Sequence, residues 1–224
     1  MDTRSFSSID RFLGEIDKAI KVLSTPAHSA RAAPAAAPAA APGAAPIAAA
    51  AEAMPEAQRV ESARLMRVNH SGEVAAQALY RGQALTARQP ELAAAMQHAA
   101  AEETDHLAWC ELRLRELNGR TSLLNPLWYA GSFAIGALAG AFGRSTSLGF
   151  VAETERQVES HLRGHMERLG AGDERSRAIL EQMTHDEMQH GAQAASLGAK
   201  ELPIPLTKAM RLTSRLMTHG SYWL

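Results

Sequence analysis

Two short stretches of the chain combine residue types and a spacing that could bind metal: Glu103-Thr104-Asp105-His106 and Glu187-Met188-Gln189-His190. Each is a Glu-x-x-His sequence, and on an α-helix a separation of three residues places both side chains on one face. Apolar residues recur on the same face, which predicts that the face is buried. Because a buried carboxylate is costly unless its charge is compensated, two such pairs indicate a metal site.

Two single glutamates extend the set, because each interrupts a helical row of apolar residues in the same way. Four helices would then point a carboxylate inward, and two of them would add a histidine. This matches the ligand set of ferritin-like di-iron and di-manganese bundles. Four carboxylates balance two divalent ions, and oxygen and imidazole ligands suit iron or manganese. The predicted ligands are Glu73, Glu103, His106, Glu155, Glu187 and His190.

One Glu-x-x-His alone would be weak support, since charged surface helices produce it by chance. Two copies in apolar rows, with single glutamates on two other helices, favour a shared metal site. Two other functions use the same residues. One is a ferritin-like iron store or ferroxidase, and the other is a non-catalytic scaffold whose Glu-His pairs make structural hydrogen bonds.

Composition limits the class of protein. The chain has 224 residues, of which 46% are hydrophobic, so it can bury a sizeable core in one domain. A net charge of −1 with interspersed acids and bases argues against nucleic-acid binding. The single cysteine, Cys110, excludes an intrachain disulfide and fits a reducing compartment. Strand-like alternation is missing, which predicts an all-α fold: a ferritin-like four-helix bundle with additional membrane-interface helices.

The chain divides into three predicted parts. Residues 1–28 contain an amphipathic helix over about residues 4–24, whose acidic residues exclude a signal peptide. Docking on the bundle, pairing with another chain and lying on a membrane all remain open for it. Residues 29–56 are rich in alanine with regularly spaced prolines, which predicts a linker without chemistry. Residues 57–224 form the predicted di-iron domain.

Residues 121–143 are uncharged and long enough to span a bilayer. A crossing there would separate Glu103 and His106 from Glu155, so a single site could not form. An Asn-Pro pair and four glycines also argue against one uniform apolar helix. We interpret the run as the crossover between the two halves of the bundle, lying in the membrane interface, with simple burial as the alternative. A basic and apolar last helix after Pro203 suits the same surface or an ordinary packed face.

Several segments together resemble the demethoxyubiquinone hydroxylases, in their bacterial type. The most specific is Arg67-Val68-Asn69-His70-Ser71-Gly72-Glu73 followed by Tyr80-Arg81-Gly82-Gln83, which resembles the family's R-V-[DN]-H-x-G-E…Y-x-G-Q segment. Both Glu-x-x-His stretches and the Asn125-Pro126-Leu127-Trp128 start of the crossover also match. The resemblance covers about residues 60–200. Leu162 departs from it, because some members have tyrosine there.

The resemblance implies a membrane-bound di-iron monooxygenase with two iron ions per chain. It would hydroxylate the ring of demethoxyubiquinone with O₂ in the penultimate step of ubiquinone synthesis. The six glutamates and histidines above would be its ligands, with His161 supporting one of them. NADH is the family's ultimate reductant, but the sequence has no Gly-x-Gly-x-x-Gly fingerprint, so electrons would arrive through the quinone or a partner protein. The expected location is peripheral, on the cytoplasmic side of the cell membrane, and a protein partner from ubiquinone biosynthesis stays open.

Overall fold

A computed structural model of the chain describes residues 7–34, 51 and 53–224. Helices make up most of these residues and no strand occurs among them, which confirms the all-α class. In chain order the helices are α1 (Ser8–Ser24), α2 (Glu56–Thr86), α3 (Pro90–Glu116), α4 (Asn125–Ala141), α5 (Arg144–Arg168), α6 (Glu174–Ser196) and α7 (Ile204–Trp223).

Helices α2, α3, α5 and α6 form the four-helix bundle as two antiparallel hairpins, α2–α3 and α5–α6. Their directions follow from two separate apolar clusters. One cluster joins the amino-terminal halves of α2 and α6 to the carboxyl-terminal halves of α3 and α5. The other joins the opposite halves. Because α3 and α5 therefore run in the same direction, the chain between them must return along the bundle, as in ferritin-like folds.

Local sequence signals set several helix boundaries. Pro90 opens α3 in its first turn, where its missing N–H costs nothing. Asp173 caps α6, since its side chain accepts a hydrogen bond from the backbone N–H of Ser176. Gly143 separates α4 from α5 with a φ of +97°, a conformation that glycine adopts without strain.

The return connection is more regular than the sequence suggested. Residues 125–141 form one helix, α4, which packs along α2. Gly136 lies so close to α2 that a Cβ there would stand 2.8 Å from the carbonyl carbon of Leu79. Two of the four glycines that argued against a uniform helix, Gly136 and Gly140, instead allow the backbones of α4 and α2 to approach. Within the described ranges, no helix has both the length and the apolar composition that a membrane crossing requires.

Helix α1 docks on the bundle through Ala19 and Val22, which pack against buried residues of α2, α3 and α4. The predicted apolar row is not the docked face: Ile9 is 71% exposed and Ile20 is 59% exposed. Phe6, the first residue of that row, lies outside the described residues. Docking therefore applies to one side of α1, and a wide apolar face of the helix remains exposed.

Candidate metal centre

The six predicted ligands converge between the two apolar clusters of the bundle. Glu73 comes from α2, Glu103 and His106 from α3, Glu155 from α5, and Glu187 and His190 from α6. The four carboxylates and His106 are at most 2% exposed, and His190 is partly buried. Apolar layers above and below the ligands separate them from bulk water.

Two groups of four residues have ligand atoms that all lie within 4.8 Å of one another. The first is Glu73, Glu103, His106 and Glu187, and the second is Glu103, Glu155, Glu187 and His190. Glu103 and Glu187 belong to both groups. Each group could hold one metal ion, with one terminal carboxylate, one histidine and two shared carboxylates.

His106 has two distinct sides. Its Nδ1 faces the cluster, at 3.0 Å from Glu103, 3.2 Å from Glu187 and 3.7 Å from Glu73. Its Nε2 lies 3.0 Å from a carboxylate oxygen of Asp186 and donates a hydrogen bond to it. A histidine whose outer nitrogen donates to a carboxylate presents the other nitrogen to a metal in a fixed orientation.

His190 faces the same cluster from α6. Its Nδ1 lies 3.5 Å from an oxygen of Glu103 and 3.5 Å from an oxygen of Glu187. That nitrogen and those two oxygens are buried without a hydrogen-bond partner among the described residues. Buried polar atoms without partners are rare and call for an ion or water. Together with the balance of four carboxylates against two divalent ions, they show that the residues fit a pair of metal ions.

Tyr80 supports Glu155, a role that the sequence reasoning did not assign to it. The Tyr80 hydroxyl donates a hydrogen bond to Oε1 of Glu155, and the whole tyrosine is buried. Tyr80 follows Glu73 by seven residues, which is two helical turns, so the shared face of α2 was the available signal. The bond fixes the orientation of a carboxylate that makes no ion pair within the described part of the chain.

Burial and mutual repulsion shift the ionisation of the cluster. Burial, together with the charges of Glu103 and Glu187, raises the pKa of Glu73 to about 8. Burial and then the charge of Glu187 raise the pKa of Glu155 well above its ordinary value. Burial opposes protonation of His190, yet Glu103 and Glu187 raise its pKa to about 10. Without metal the cluster therefore retains protons, which metal ions must displace when they bind.

Asp105 lies within one Glu-x-x-His pair and Asp186 directly precedes the other, and their side chains have different partners. Asp186 binds His106 of the other Glu-x-x-His pair, across the interface between α3 and α6. Burial opposes ionisation of Asp186, but hydrogen bonds from His106 and Arg31 lower its pKa to about 2. Asp105 makes no such bond and accepts instead from Ser29, Ala30 and Arg31.

The remaining histidines near the centre lie outside both four-residue groups. His70 is buried between Glu111 and Asn125, at 3.4 Å and 3.2 Å. His165 is buried and donates from Nδ1 to Asn69 at 2.7 Å. His161 stacks on His165 and lines a cavity beside the cluster, and its support of a ligand stays a prediction.

That cavity has a volume of about 500 Å³ and lies between α2, α4, α5 and α7. Its walls are mainly apolar, and Glu73 forms part of them. The cavity therefore leads from the α4–α7 side of the molecule to a predicted ligand. Apolar lining residues include Val68, Leu79, Leu127, Trp128, Phe150 and Met210.

Comparison with known proteins agrees with this geometry. The sequence model of the family described as ubiquinone biosynthesis protein COQ7 matches residues 60–221. A relative from Ralstonia pickettii (strain 12J), named 3-demethoxyubiquinol 3-hydroxylase, is 54% identical over 96% of this chain and 99% of its own length. Relatives of the same name from Bordetella pertussis and Nitrosospira multiformis are 52% and 49% identical, over 99% and 96% of this chain and 95% and 99% of their own lengths.

Proposed function

The chain belongs to the family of the ubiquinone biosynthesis protein COQ7, and from that membership we propose that it hydroxylates the ring of 3-demethoxyubiquinol. The proposed reaction consumes O₂ and inserts one of its oxygen atoms into the ring. We assign the reaction to a di-iron centre held by the six glutamates and histidines that converge in the bundle. The ferritin-like iron store and the scaffold are the alternatives that the experiment below separates.

One observation carries the proposal: an apolar cavity large enough for a substituted ring ends at Glu73, which also belongs to the first metal-binding group. A ring in this cavity would lie beside the centre while its polyprenyl tail extends towards α4 and α7. An iron store needs no such access for an apolar molecule. A scaffold needs neither the cavity nor the buried atoms without partners.

The iron ions, when bound, supply the redox chemistry that activates O₂. The protein's own residues hold and orient the reactants around that chemistry. Glu103 and Glu187 belong to both four-residue groups and would help to hold either ion, and Tyr80 holds Glu155 in position. The apolar clusters on either side exclude water, which protects a reactive site from side reactions.

A few polar groups in the cavity could orient the quinol ring. Asn69, Gln157 and His161 lie among its apolar lining residues. Burial lowers the pKa of His161, so its imidazole is neutral at physiological pH and can donate or accept one hydrogen bond. We propose that these three side chains bind the oxygen substituents of the ring.

The two electrons that a monooxygenase reaction requires must reach the centre from outside it. The sequence lacks the glycine-rich dinucleotide fingerprint, so we propose that NADH acts through the quinone pool or through a partner protein. A supporting protein from ubiquinone biosynthesis would also have to bind without covering the mouth of the cavity.

We propose that the α4–α7 side rests on the cytoplasmic face of the cell membrane, because the cavity begins there and its substrate is a lipid. Leu138 on α4 and Phe142, directly after the helix, are 64% and 75% exposed, and Leu216 on α7 is 61% exposed. Basic residues on α7 complement anionic lipids. These residues are Lys208, Arg211 and Arg215.

The deciding experiment is mass spectrometry of a demethoxyubiquinol analogue after incubation with iron-loaded protein, NADH, a suitable reductase and ¹⁸O₂. We expect the product to gain one ¹⁸O atom, and Glu187→Ala to lose both the gain and the bound iron. Glu181→Ala is the matched control, because Glu181 is an exposed glutamate on the same helix. Full iron loading with no oxygen gain would favour the iron store, and unchanged iron content in Glu187→Ala would favour the scaffold.

A further inference from the structure

The segment after α1 is more than a linker. Residues 27–34, which we call the strap, leave α1 and lie across α3 and α6 beside both Glu-x-x-His pairs. The sequence predicted a linker without chemistry over residues 29–56, and the first residues of that range make specific contacts with two bundle helices. The strap contacts Asp105 and Asp186, as described below. Other hydrogen bonds that hold it run from Ala27 N to Glu111, from Trp109 Nε1 to the Arg31 carbonyl, and from Arg175 to the Pro34 carbonyl.

Arg31 connects the strap to the metal centre through two aspartates on different helices. Its Nε donates to Asp105 on α3 at 2.6 Å, and a terminal nitrogen donates to Asp186 on α6 at 2.9 Å. Its guanidinium also lies over the ring of Trp109, 4.7 Å from the ring centroid. Only a planar fork of several donors can bind two carboxylates while stacking on an aromatic ring, which distinguishes arginine from lysine here.

One oxygen atom joins Arg31 to the predicted ligands. Oδ2 of Asp186 accepts from Arg31 at 2.9 Å and from Nε2 of His106 at 3.0 Å. The other oxygen of Asp186 accepts from Gln182 at 2.9 Å. Arg31 and Gln182 thus hold Asp186 from two directions. The hydrogen bond that Asp186 accepts from His106 orients the histidine ring with Nδ1 towards Glu73, Glu103 and Glu187.

We propose that Arg31 is a positioning residue of the metal centre, acting through Asp186 to orient His106 as a ligand. The guanidinium also compensates the charges of Asp105 and Asp186, which would otherwise add two carboxylates beside the four of the cluster. Without Arg31, only Gln182 restrains Asp186 from the other side, so the acceptor that fixes the ring of His106 is held less firmly. The amino-terminal segment thereby contributes to the site from outside the four-helix bundle.

This inference rests on the proposed metal centre, and its test measures metal binding rather than turnover. The full-length protein is titrated anaerobically with Fe²⁺ against a chromogenic chelator, as wild type, Arg31→Gln, Arg31→Lys and Asp186→Asn. Loss of a partner that orients a metal ligand typically weakens metal binding by about 10- to 100-fold, which is the loss expected for Arg31→Gln. Arg31→Lys should recover part of the affinity, because lysine retains the charge but cannot bind both aspartates.

Three comparisons decide the outcome. Ser29→Ala removes the contacts of the Ser29 hydroxyl with Asp105 and with the backbone of Arg31. It leaves the Arg31 guanidinium and Asp186 in place, so this variant should bind Fe²⁺ within about twofold of wild type. The double variant Arg31→Gln with Asp186→Asn should bind Fe²⁺ no more weakly than Asp186→Asn alone. Both substitutions interrupt the same contacts, which run from Arg31 through Asp186 to His106. Near-infrared circular dichroism of the ferrous protein should change in Arg31→Gln and stay unchanged in Ser29→Ala.

Failure of the proposed metal centre and failure of the proposed role of Arg31 would give different results. Wild-type protein that binds fewer than two Fe²⁺ ions overturns the proposed metal centre itself. If wild type binds two ions and Arg31→Gln binds them equally tightly, only the role of Arg31 is overturned. That role is also overturned if the losses of Arg31→Gln and Asp186→Asn multiply, or if Ser29→Ala loses as much affinity as Arg31→Gln, since the strap as a whole would then be responsible.

Discussion

At the scale of single residues, the centre depends on hydrogen bonds that hold its ligands as well as on the ligands themselves. Tyr80 binds Glu155 and Asp186 binds His106, so two of the six predicted ligands have a fixed orientation before metal arrives. Such preorganisation matters because a ligand that must first be ordered gives up part of its binding free energy. Changes at these supporting residues should therefore affect metal chemistry more than stability.

Tyr80→Phe tests this view of Glu155. The phenylalanine preserves the buried ring but removes the hydroxyl that donates to Glu155. We expect turnover or iron affinity to fall by about 10- to 100-fold, as for other partners of metal ligands. Tyr129→Phe is the matched control, because the Tyr129 hydroxyl is buried without a hydrogen-bond partner among the described residues. Wild-type turnover and iron content in Tyr80→Phe would contradict the role of the hydroxyl.

His165 predicts a pH dependence of stability that is separate from the metal ligands. Burial, with the nearby charges of His161 and Arg168, lowers the pKa of His165 from its ordinary value of 6.5 to about 3. As the pH falls, the imidazole of His165 binds a proton in the unfolded chain before it does so in the folded protein. The contribution of the neutral, buried imidazole to the free energy of unfolding is therefore fully present above pH 6.5 and is lost as the pH falls towards 3. At pH 5 the loss should be about 2 kcal/mol.

The measurement for His165 is the free energy of unfolding in urea at pH 7, 6 and 5 without metal. His165→Asn should be less stable than wild type at pH 7 but should show a shallower decline between pH 7 and pH 5, by about 2 kcal/mol. His219→Asn is the control, because His219 is exposed on α7. An unchanged decline in His165→Asn would show that other groups cause the pH dependence.

At the scale of helices, the contact between α2 and α4 sets the shape of the cavity. Gly82, Gly136 and Gly140 lie where the backbones of these helices meet, with no room for a Cβ atom. Helix α4 supplies Leu127, Trp128 and Ile135 to the cavity wall. Close packing of the two helices therefore positions the wall that faces Glu73.

Gly136→Ala should be strongly destabilising for this reason. A Cβ at position 136 would stand 2.9 Å from the Cα atom of Leu79, and backbone atoms cannot move aside cheaply. Overpacking of this kind costs about 1–3 kcal/mol or more, visible as a lower thermal midpoint. Gly131→Ala on the same helix should be neutral or stabilise by up to about 1 kcal/mol, since its Cβ would meet nothing within 4 Å. Equal midpoints for the two variants would contradict the close contact.

At the scale of the whole molecule, exposed apolar residues gather around the side where the cavity begins. Helix α4 exposes Leu127 and Leu138, and Phe142 directly after it is exposed as well. Helix α7 exposes Leu212 and Leu216. A surface of this kind marks an interaction site rather than ordinary solvent exposure. The proposed membrane contact would bring the cavity to the level at which a polyprenyl quinol resides.

Phe142→Glu tests the membrane contact by co-sedimentation with vesicles that contain anionic lipid. Burying one large apolar side chain contributes about 1.5–3 kcal/mol, so the partition coefficient should fall at least about tenfold. Activity on a short-chain, water-soluble analogue should be retained, while activity on a long-chain substrate in vesicles should decline. Met188→Glu is the control, because Met188 is a half-exposed apolar residue on α6. Equal vesicle binding by Phe142→Glu and wild type would exclude α4 from the contact.

The sequence alone determined the all-α fold and the six side chains that converge. Helical periodicity is local, so a glutamate and a histidine three residues apart in an apolar row must face the interior together. The burial of Glu73 and Glu155 followed from the same rule. The ligand roles of the six residues stay a prediction until metal binding is measured.

Only the tertiary structure decided the relations between helices and between distant segments. The pairing of Asp186 with His106 of another helix, the direction in which Nδ1 points, and the two carboxylates shared between groups all depend on helix positions that no local pattern encodes. Arg31 lies in an alanine- and proline-rich stretch without a helical pattern of apolar residues, so its contact with two aspartates had no signal in the sequence. Local patterns specify which face of a helix is buried, whereas the partners of that face are selected by packing over the whole chain.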